Sequence, residues 1–285
     1  MNKRINVKNQ QKIKKVLLSL FVGIISISML LPLVWMLSTS FKVEADVFRF
    51  PIDWIPRKWS MVSNYTTVFG GDYNFLTYYK NSILYSFFSV SLYIVLCSMA
   101  GYAFAKIKFK WSDQLFLIIL ATMMIPEQLI LIPQFIIMRS FHIDNTISGL
   151  VLRSIFGSYG VFLLKQFMMS IPDSIIESGK IDGAKQWTIY SKLILPMSQA
   201  SIATLIILKF VWTWNDYQGP LVFLRTASKY TLQIGLSSFV AGDGLSPLYS
   251  LLMAGSVVAI IPLLFVFIIF QKQVIGGIAT GAVKG

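Results

Sequence analysis

The chain has 285 residues, of which 55% are hydrophobic and 13% charged, and its formal net charge is +13. That much apolar surface exceeds what one soluble core can hide, so the composition excludes an ordinary soluble domain and indicates an all-α, polytopic membrane protein. A single cysteine, Cys97, excludes an internal disulfide framework, and a single histidine, His142, excludes His-rich metal sites; the positive charge has to be sorted by loop before it is read as nucleic-acid affinity.

Residues 1–15 form a basic segment holding Lys3, Arg4, Lys8, Lys12, Lys14 and Lys15. The uncharged run from Val16 to Ser40 follows, and at ~20 residues per crossing it is long enough to span a bilayer. A cleaved secretory signal would have a shorter apolar run and a small-residue cleavage site, so this is read as a retained first helix with a cytoplasmic N-terminus. Residues 42–80, with Trp54, Trp59, Pro51 and Pro56, read as an ordered extracytoplasmic loop with aromatics near the interface.

The second span is expected from Ile83 to Ala105, ending at Lys106, Lys108 and Lys110, and the third from Gln114 to Met138, interrupted by Pro126, Glu127, Gln128 and Pro133. The fourth, about Ile147 to Met169, contains Arg153 and Lys165, whose stems are expected to snorkel so that the heads reach opposite interfaces. A polar stretch at 172–196 precedes the fifth span, about Ser198 to Leu224, and the sixth, Leu248 to Phe270. Six spans make one transmembrane domain over 16–271 and leave a cytoplasmic, glycine-rich, flexible tail at 272–285. Most of the basic residues then fall on the cytoplasmic side, as the positive-inside rule requires.

The stretch at 172–196 predicts two short helices meeting at a bend. Ser174 followed by Glu177 reads as a capping box that starts the first, Asp182-Gly183 stops it and caps the next, and Pro196 ends the second. Ile176, Ala184, Trp187, Tyr190 and Ile194 make one apolar stripe, which suits either docking on another subunit or lying along the bilayer surface. Within the bilayer, Lys209 and Glu127 are expected near the midplane, ~16 Å along the fifth span and ~20 Å along the third. Each must find a partner or water there. Lys209, Thr213 and Asp216 recur at helical spacing with Trp212 adjacent, a polar and aromatic stripe suited to hydroxyls and ring faces; a fixed Lys209–Glu127 ion pair is the structural alternative. Asn215 and Gln128 complete the candidate path residues with Glu127, Lys209, Trp212, Thr213 and Asp216.

Glu177, Gly183, Leu195 and Pro196, with Leu193, resemble the EAA loop of the integral-membrane subunits of ATP-binding-cassette (ABC) importers, although Glu177-Ser178-Gly179 stands where the family usually has Glu-Ala-Ala. That resemblance implies that Glu177, Asp182, Gly183, Ala184, Leu195 and Pro196 couple the membrane helices to an ATPase subunit. Asn81-Ser82, Pro126, Trp214-Asn215-Asp216 and the Gly-Ala-Val-Lys-Gly ending resemble the carbohydrate-importing, maltose-type branch, which implies that Ala282, Val283, Lys284 and Gly285 also approach the ATPase. The implied partners are a second permease, two ATPase subunits, an extracellular solute-binding protein and membrane lipid, with no nucleic acid.

No GxxxxGK followed by Ser or Thr occurs, so this chain lacks a phosphate-cradling loop of that kind; it is expected to be no enzyme and to hold no cofactor, with ATP and Mg bound by the partner subunits. Two other readings use the same features: a self-sufficient secondary carrier, for which broken helices and buried charges serve equally well, and an ABC permease for a non-sugar solute.

Overall fold

A computed structural model describes residues 2–70, 73–241 and 247–282, and the side chains within 12–70, 73–240 and 247–273. Among these residues the secondary structure is helical, with one isolated bridge pairing Lys42 and Trp59. The helices are α1 (Asn2–Ser40), α2 (Met61–Phe69), α3 (Phe75–Lys106), α4 (Ser112–Thr122), α5 (Glu127–Ser140), α6 (Ile147–Ser154), α7 (Ser158–Met169), α8 (Asp173–Ile181), α9 (Gln186–Met197), α10 (Gln199–Trp214), α11 (Gln218–Phe223), α12 (Leu232–Ala241) and α13 (Tyr249–Ala282).

Lys12–Ser40, α3 and Tyr249–Gln273 are each long and apolar enough to cross a membrane by themselves. The expected third and fourth spans are instead bent pairs: α4 and α5 meet at 101°, α6 and α7 at 45°. Before the fifth, α9 meets α10 at 77°. Pro126 explains the sharpest of these breaks, since it lacks an N–H and disfavours a helical residue before it; it stands at ψ 133° as the N-cap of α5, so α4 stops at Thr122 and Glu127 opens a new helix. The fifth span also stops early, at Trp214, with Asp216 beyond its end. At the N-terminus the basic segment is part of α1, and at the other end α13 runs on through Ala282 where a flexible tail was expected from 272; Val283, Lys284 and Gly285 lie outside the described residues.

The chain divides into two compact units. The smaller comprises residues 1–72 and 239–258. In it the segment after α1 is fixed by polar contacts: Asn64 Nδ2 donates to the carbonyls of Ser40 and Lys42 at 2.9 and 2.8 Å. The Glu44 carboxylate accepts from the N–H groups of Tyr249 and Ser250 at 3.0 and 2.8 Å, taking up two orphan donors at the start of α13 with a favourable charge. Lys42 is buried, its ammonium 4.1 Å from the Trp35 ring centroid.

The larger unit comprises residues 73–238 and 259–285 and is built around α3, against which α6, α7 and α10 pack. One face of α3 carries Ser82, Ser86, Ser89, Tyr93, Cys97 and Gly101, all buried and three or four residues apart. Small side chains at that spacing let neighbouring backbones approach closely, which is how helices gain dispersion contact where lipid supplies no hydrophobic drive. A Cβ on Gly101 would sit 2.9 Å from Leu164 Cβ, and one on Gly160 would sit 2.7 Å from Cys97 Sγ. Cys97 is thus a small core residue, as read from the sequence. Lys165 does not snorkel: it is buried, with its ammonium 3.5 Å from the Phe116 ring centroid. Asn81 and Ser82 tie the far end of α3 to the later chain, Asn81 Nδ2 donating to the carbonyls of Ser228 and Tyr230 and Ser82 Oγ accepting from Leu232 N.

Gly101→Val is expected to destabilise the purified protein by about 1–3 kcal/mol, because the added atoms meet backbone and Cβ of α7 instead of flexible side-chain ends. A thermal-unfolding midpoint unchanged from that of the native chain would refute the close α3–α7 approach.

Candidate functional site

Two places in the larger unit concentrate the polar chemistry. The first is a cavity of about 750 Å³ where three interruptions of the helices meet. Its lining takes Thr122, Met123, Ile125 and Glu127 from the α4–α5 break, Ser154, Phe156, Gly157 and Ser158 from the α6–α7 break, and Asn215 to Gln218 from the stretch between α10 and α11. Breaking a helix frees backbone groups and exposes polar side chains at a depth where an unbroken helix would present only its flank, and such irregular backbone is tolerated where it lines a cavity.

Arg153 ties the three breaks together. Its side chain is 5% exposed; Nη2 is ion-paired with Glu127, Nη1 donates to Asp216 Oδ2 at 3.1 Å, and Nε donates to Gln134 Oε1 at 3.2 Å. Asp216 takes two more donors, Tyr85 OH to Oδ2 at 2.9 Å and Gly219 N to Oδ1 at 2.9 Å. A Cβ on Gly219 would stand 2.5 Å from Arg153 Nη1 and 2.6 Å from Asp216 Oδ2, so a larger residue there would have to displace the ion pair. The snorkelling expected of Arg153 is overturned: two carboxylates converge on it inside the bundle, which makes burial cheaper than stretching to an interface.

The alternative reading of a fixed Lys209–Glu127 ion pair is not borne out: Glu127 pairs with Arg153. Lys209 Nζ donates to the Ser154 carbonyl at 2.7 Å and lies 4.7 Å from the Tyr93 ring centroid. Ser154 Oγ donates in turn to Ser89 Oγ, and Tyr93 OH accepts from Gly160 N, so the floor beneath Lys209 is itself anchored to α3. Trp212 is half exposed, edge-on to Tyr159 with 5.5 Å between ring centroids. Of the path candidates, Glu127, Lys209, Trp212, Thr213, Asn215 and Asp216 all line the cavity; Gln128 does not. Thr213 is buried and Asn215 Nδ2 turns back to the Val211 carbonyl. Sequence reasoning missed Arg153, Tyr85, Tyr93 and Tyr159. The usable signal for Arg153 was the count of intramembrane charges, since Glu127 and Asp216 together needed a cation besides Lys209.

The second place is the segment 172–196. Its helix α8 begins at Asp173, with Pro172 at the cap position, so the Ser174–Glu177 capping box does not form. The start is held from outside: Lys106 Nζ donates to the Ile171 carbonyl and to Asp173 Oδ1, both at 2.6 Å, and this hydrogen bond with its charge holds the Asp173 carboxyl below its ordinary range. The end is as expected. Gly183 has φ +77°, its N–H bonds the Lys180 carbonyl and Ala184 N bonds the Gly179 carbonyl, the paired bonds of a Schellman turn. Asp182 does not cap the next helix, which starts after Lys185. Pro196 does not end that helix either. The turns at Ile189–Ile194 widen into π-helix just before it, which relieves the crowding of the proline ring on the preceding turn, and α9 continues to Met197.

The expected apolar stripe divides. Ile176, Tyr190 and Ile194 are buried in the same core as Tyr102, Leu164 and Met168, and Ala184 packs against it. Tyr102 OH donates to Gln186 Oε1 at 2.7 Å and Ser98 Oγ shares a 2.7 Å hydrogen bond with Tyr190 OH, so the segment is bolted to α3. Gly179 has a structural reason: a Cβ there would stand 3.0 Å from Leu193 Cδ1, where α8 and α9 pack. What faces outward on either side of Gly183 is Ile181, 87% exposed, and Trp187, 64% exposed.

Residues 94–280 match the family described as "Binding-protein-dependent transport system inner membrane component". The chain is 30% identical over 277 residues to the arabinooligosaccharides transport system permease protein AraQ of Bacillus subtilis, covering 97% of this chain and 98% of that one. It is 31% identical to the probable starch degradation products transport system permease protein AmyC of Thermoanaerobacterium thermosulfurigenes, over 95% and 98% of the two chains. A crystal structure of a bacterial ABC transporter involved in the import of the acidic polysaccharide alginate superposes with a TM-score of 0.80 at 24% identity, over 92% of this chain and 96% of that one, which establishes the fold.

Arg153→Gln leaves two carboxylates without their cation and is expected to lower stability by about 3–5 kcal/mol, whereas Arg153→Lys keeps the charge and loses the fork. Thermal unfolding of the purified protein checks this, and equal melting of Arg153→Gln and the native chain would show that the ion triad does not hold the breaks.

Proposed function

The chain belongs to the family of inner-membrane components of binding-protein-dependent transport systems, and from that premise we propose that it forms, with a second permease, the membrane pathway of an ABC importer for a sugar or oligosaccharide. The observation that carries the sugar reading is the cavity, where the Trp212 and Tyr159 rings stand beside Lys209, Glu127 and Arg153 at the convergence of three helix breaks. Hydroxyls need donors and acceptors, ring faces need flat apolar surface, and the cavity offers both. The uptake systems named for the similar permeases handle saccharides, which supports the same reading.

Coupling is assigned to 172–196. Ile181 and Trp187 are the exposed apolar residues that a cleft on an ATPase subunit would cover, with Asp182, Gly183 and Ala184 between them, Glu177 one turn before Ile181, and Leu195 and Pro196 at the base. Hydrolysis, with its ATP and Mg, belongs to two ATPase subunits, and delivery of the solute belongs to an extracellular binding protein. In this arrangement each bent pair counts as one span, six in all; both termini are cytoplasmic, the 42–80 segment is extracytoplasmic, and the end of the chain from Ala282 to Gly285 meets the ATPase.

In sealed vesicles holding the whole assembly, saccharide uptake is expected to require ATP on the cytoplasmic side and to ignore an ion gradient; the opposite dependence would sink the importer reading. Gly183→Val forces a branched residue to positive φ and is expected to cut uptake by about tenfold or more while the ATPase still co-purifies. Full uptake by that variant at normal expression would remove the coupling role. Deleting Gly281 to Gly285 should leave insertion intact and weaken ATPase stimulation.

A further inference from the structure

The charges lining the cavity cancel. Among the described residues its lining carries two basic and two acidic side chains, Arg153 and Lys209 against Glu127 and Asp216. They are unequally committed. Arg153, buried, is already paired with two carboxylates, Asp216 and Glu127, and donates Nε to Gln134, and Asp216 is engaged by Tyr85, Arg153 and Gly219. What remains open is Lys209, which has given one N–H to the Ser154 carbonyl, and Glu127, whose side chain is 65% exposed with one oxygen on Arg153. The half-exposed Trp212 ring adds a flat apolar face.

We infer that this cavity takes an uncharged sugar ring and discriminates against its uronate counterpart, with Trp212 as the stacking face, Lys209 Nζ as donor and the free oxygen of Glu127 as acceptor. This rests on the sugar-transport reading above and narrows its substrate class. A neutral ring brings hydroxyls that accept from the ammonium and donate to the carboxylate, and it leaves the cavity at zero net charge. A carboxylate on the sugar would add an uncompensated negative charge inside the bilayer, beside Glu127, where the charge of Arg153 is already matched by two carboxylates. The fold is shared with a protein involved in importing an acidic polysaccharide, so the backbone does not impose this preference; it lies in which side chains occupy the breaks.

The test is saturation-transfer NMR on the complete importer in lipid nanodiscs, using the methyl glycosides of glucose, galactose and arabinose against methyl glucuronide and methyl galacturonide. Transfer to the neutral glycosides is expected, lost in Trp212→Ala, with the uronides at least about tenfold weaker. Glu127→Gln makes the cavity +1 and should narrow that gap; Lys209→Gln makes it −1 and should widen it, so the proposal stays exposed even where one of the two variants does not assemble. Equal binding of uronide and neutral glycoside by the native assembly overturns the proposal, as does neutral binding that survives Trp212→Ala. Absence of all glycoside binding overturns it too. In that event ATP-driven saccharide uptake would leave the transport reading standing, whereas absence of saccharide uptake would remove both.

Discussion

The Arg153 guanidinium is the point on which the interior of the larger unit depends. Three helices are interrupted within the apolar part of the chain, and every interruption releases backbone groups and polar side chains where lipid offers no hydrogen bonds. One planar cation with donors along two edges meets Glu127 from the first break and Asp216 from the last, and its own helix precedes the middle one. Lysine could not replace it, because a point charge cannot hold two carboxylates and a glutamine amide in fixed directions at once. The triad carries one excess negative charge, and Lys209 restores neutrality without joining the network. The network is buried at Arg153 and reaches the cavity surface at Glu127, whose side chain is 65% exposed, while Lys209 stands outside it on the Ser154 carbonyl.

Helix α3 connects this cavity to the segment 172–196. Tyr85 reaches Asp216 and Tyr93 underlies Lys209, while Ser98, Tyr102 and Lys106 hold Tyr190, Gln186 and Asp173. At 1.5 Å per residue Tyr85 and Tyr102 are about 26 Å apart along the axis, so one unbroken element touches both places. Helix α7 approaches it closely at Gly101 and Gly160. A displacement of 172–196 has a direct mechanical route toward the cavity through packed backbone and side-chain bonds, with no intervening loop to absorb it.

The sequence by itself determined what local chemistry controls. Uncharged runs of membrane length appear as α1, α3 and α13, because hydrophobic length alone decides whether a helix can cross. Gly183 stops α8 because its left-handed conformation is cheap for glycine alone, and Pro126 breaks the third span because a proline has no N–H to give. The family resemblance carried by Glu177, Gly183, Leu195 and Pro196 was legible for the same reason, as a short motif confined to one segment.

Partnership, by contrast, was decided by tertiary structure. Spacing along one helix placed Lys209, Thr213 and Asp216 on a common stripe but could not reveal that Glu127 would meet Arg153 instead of Lys209, since residues 26 apart in the chain come together only once the 101° bend turns α5. The capping box at Ser174 and Glu177 satisfied every local rule and lost to Lys106, 67 residues from Asp173, whose ammonium reached the start of α8 first. Even Pro196, which locally reads as a stop, is absorbed by a widened turn because α9 is packed against α3 along its buried face. Local rules set where a helix is able to begin, end or break; which charge answers which, and which face is left bare, depends on contacts between segments distant in the chain.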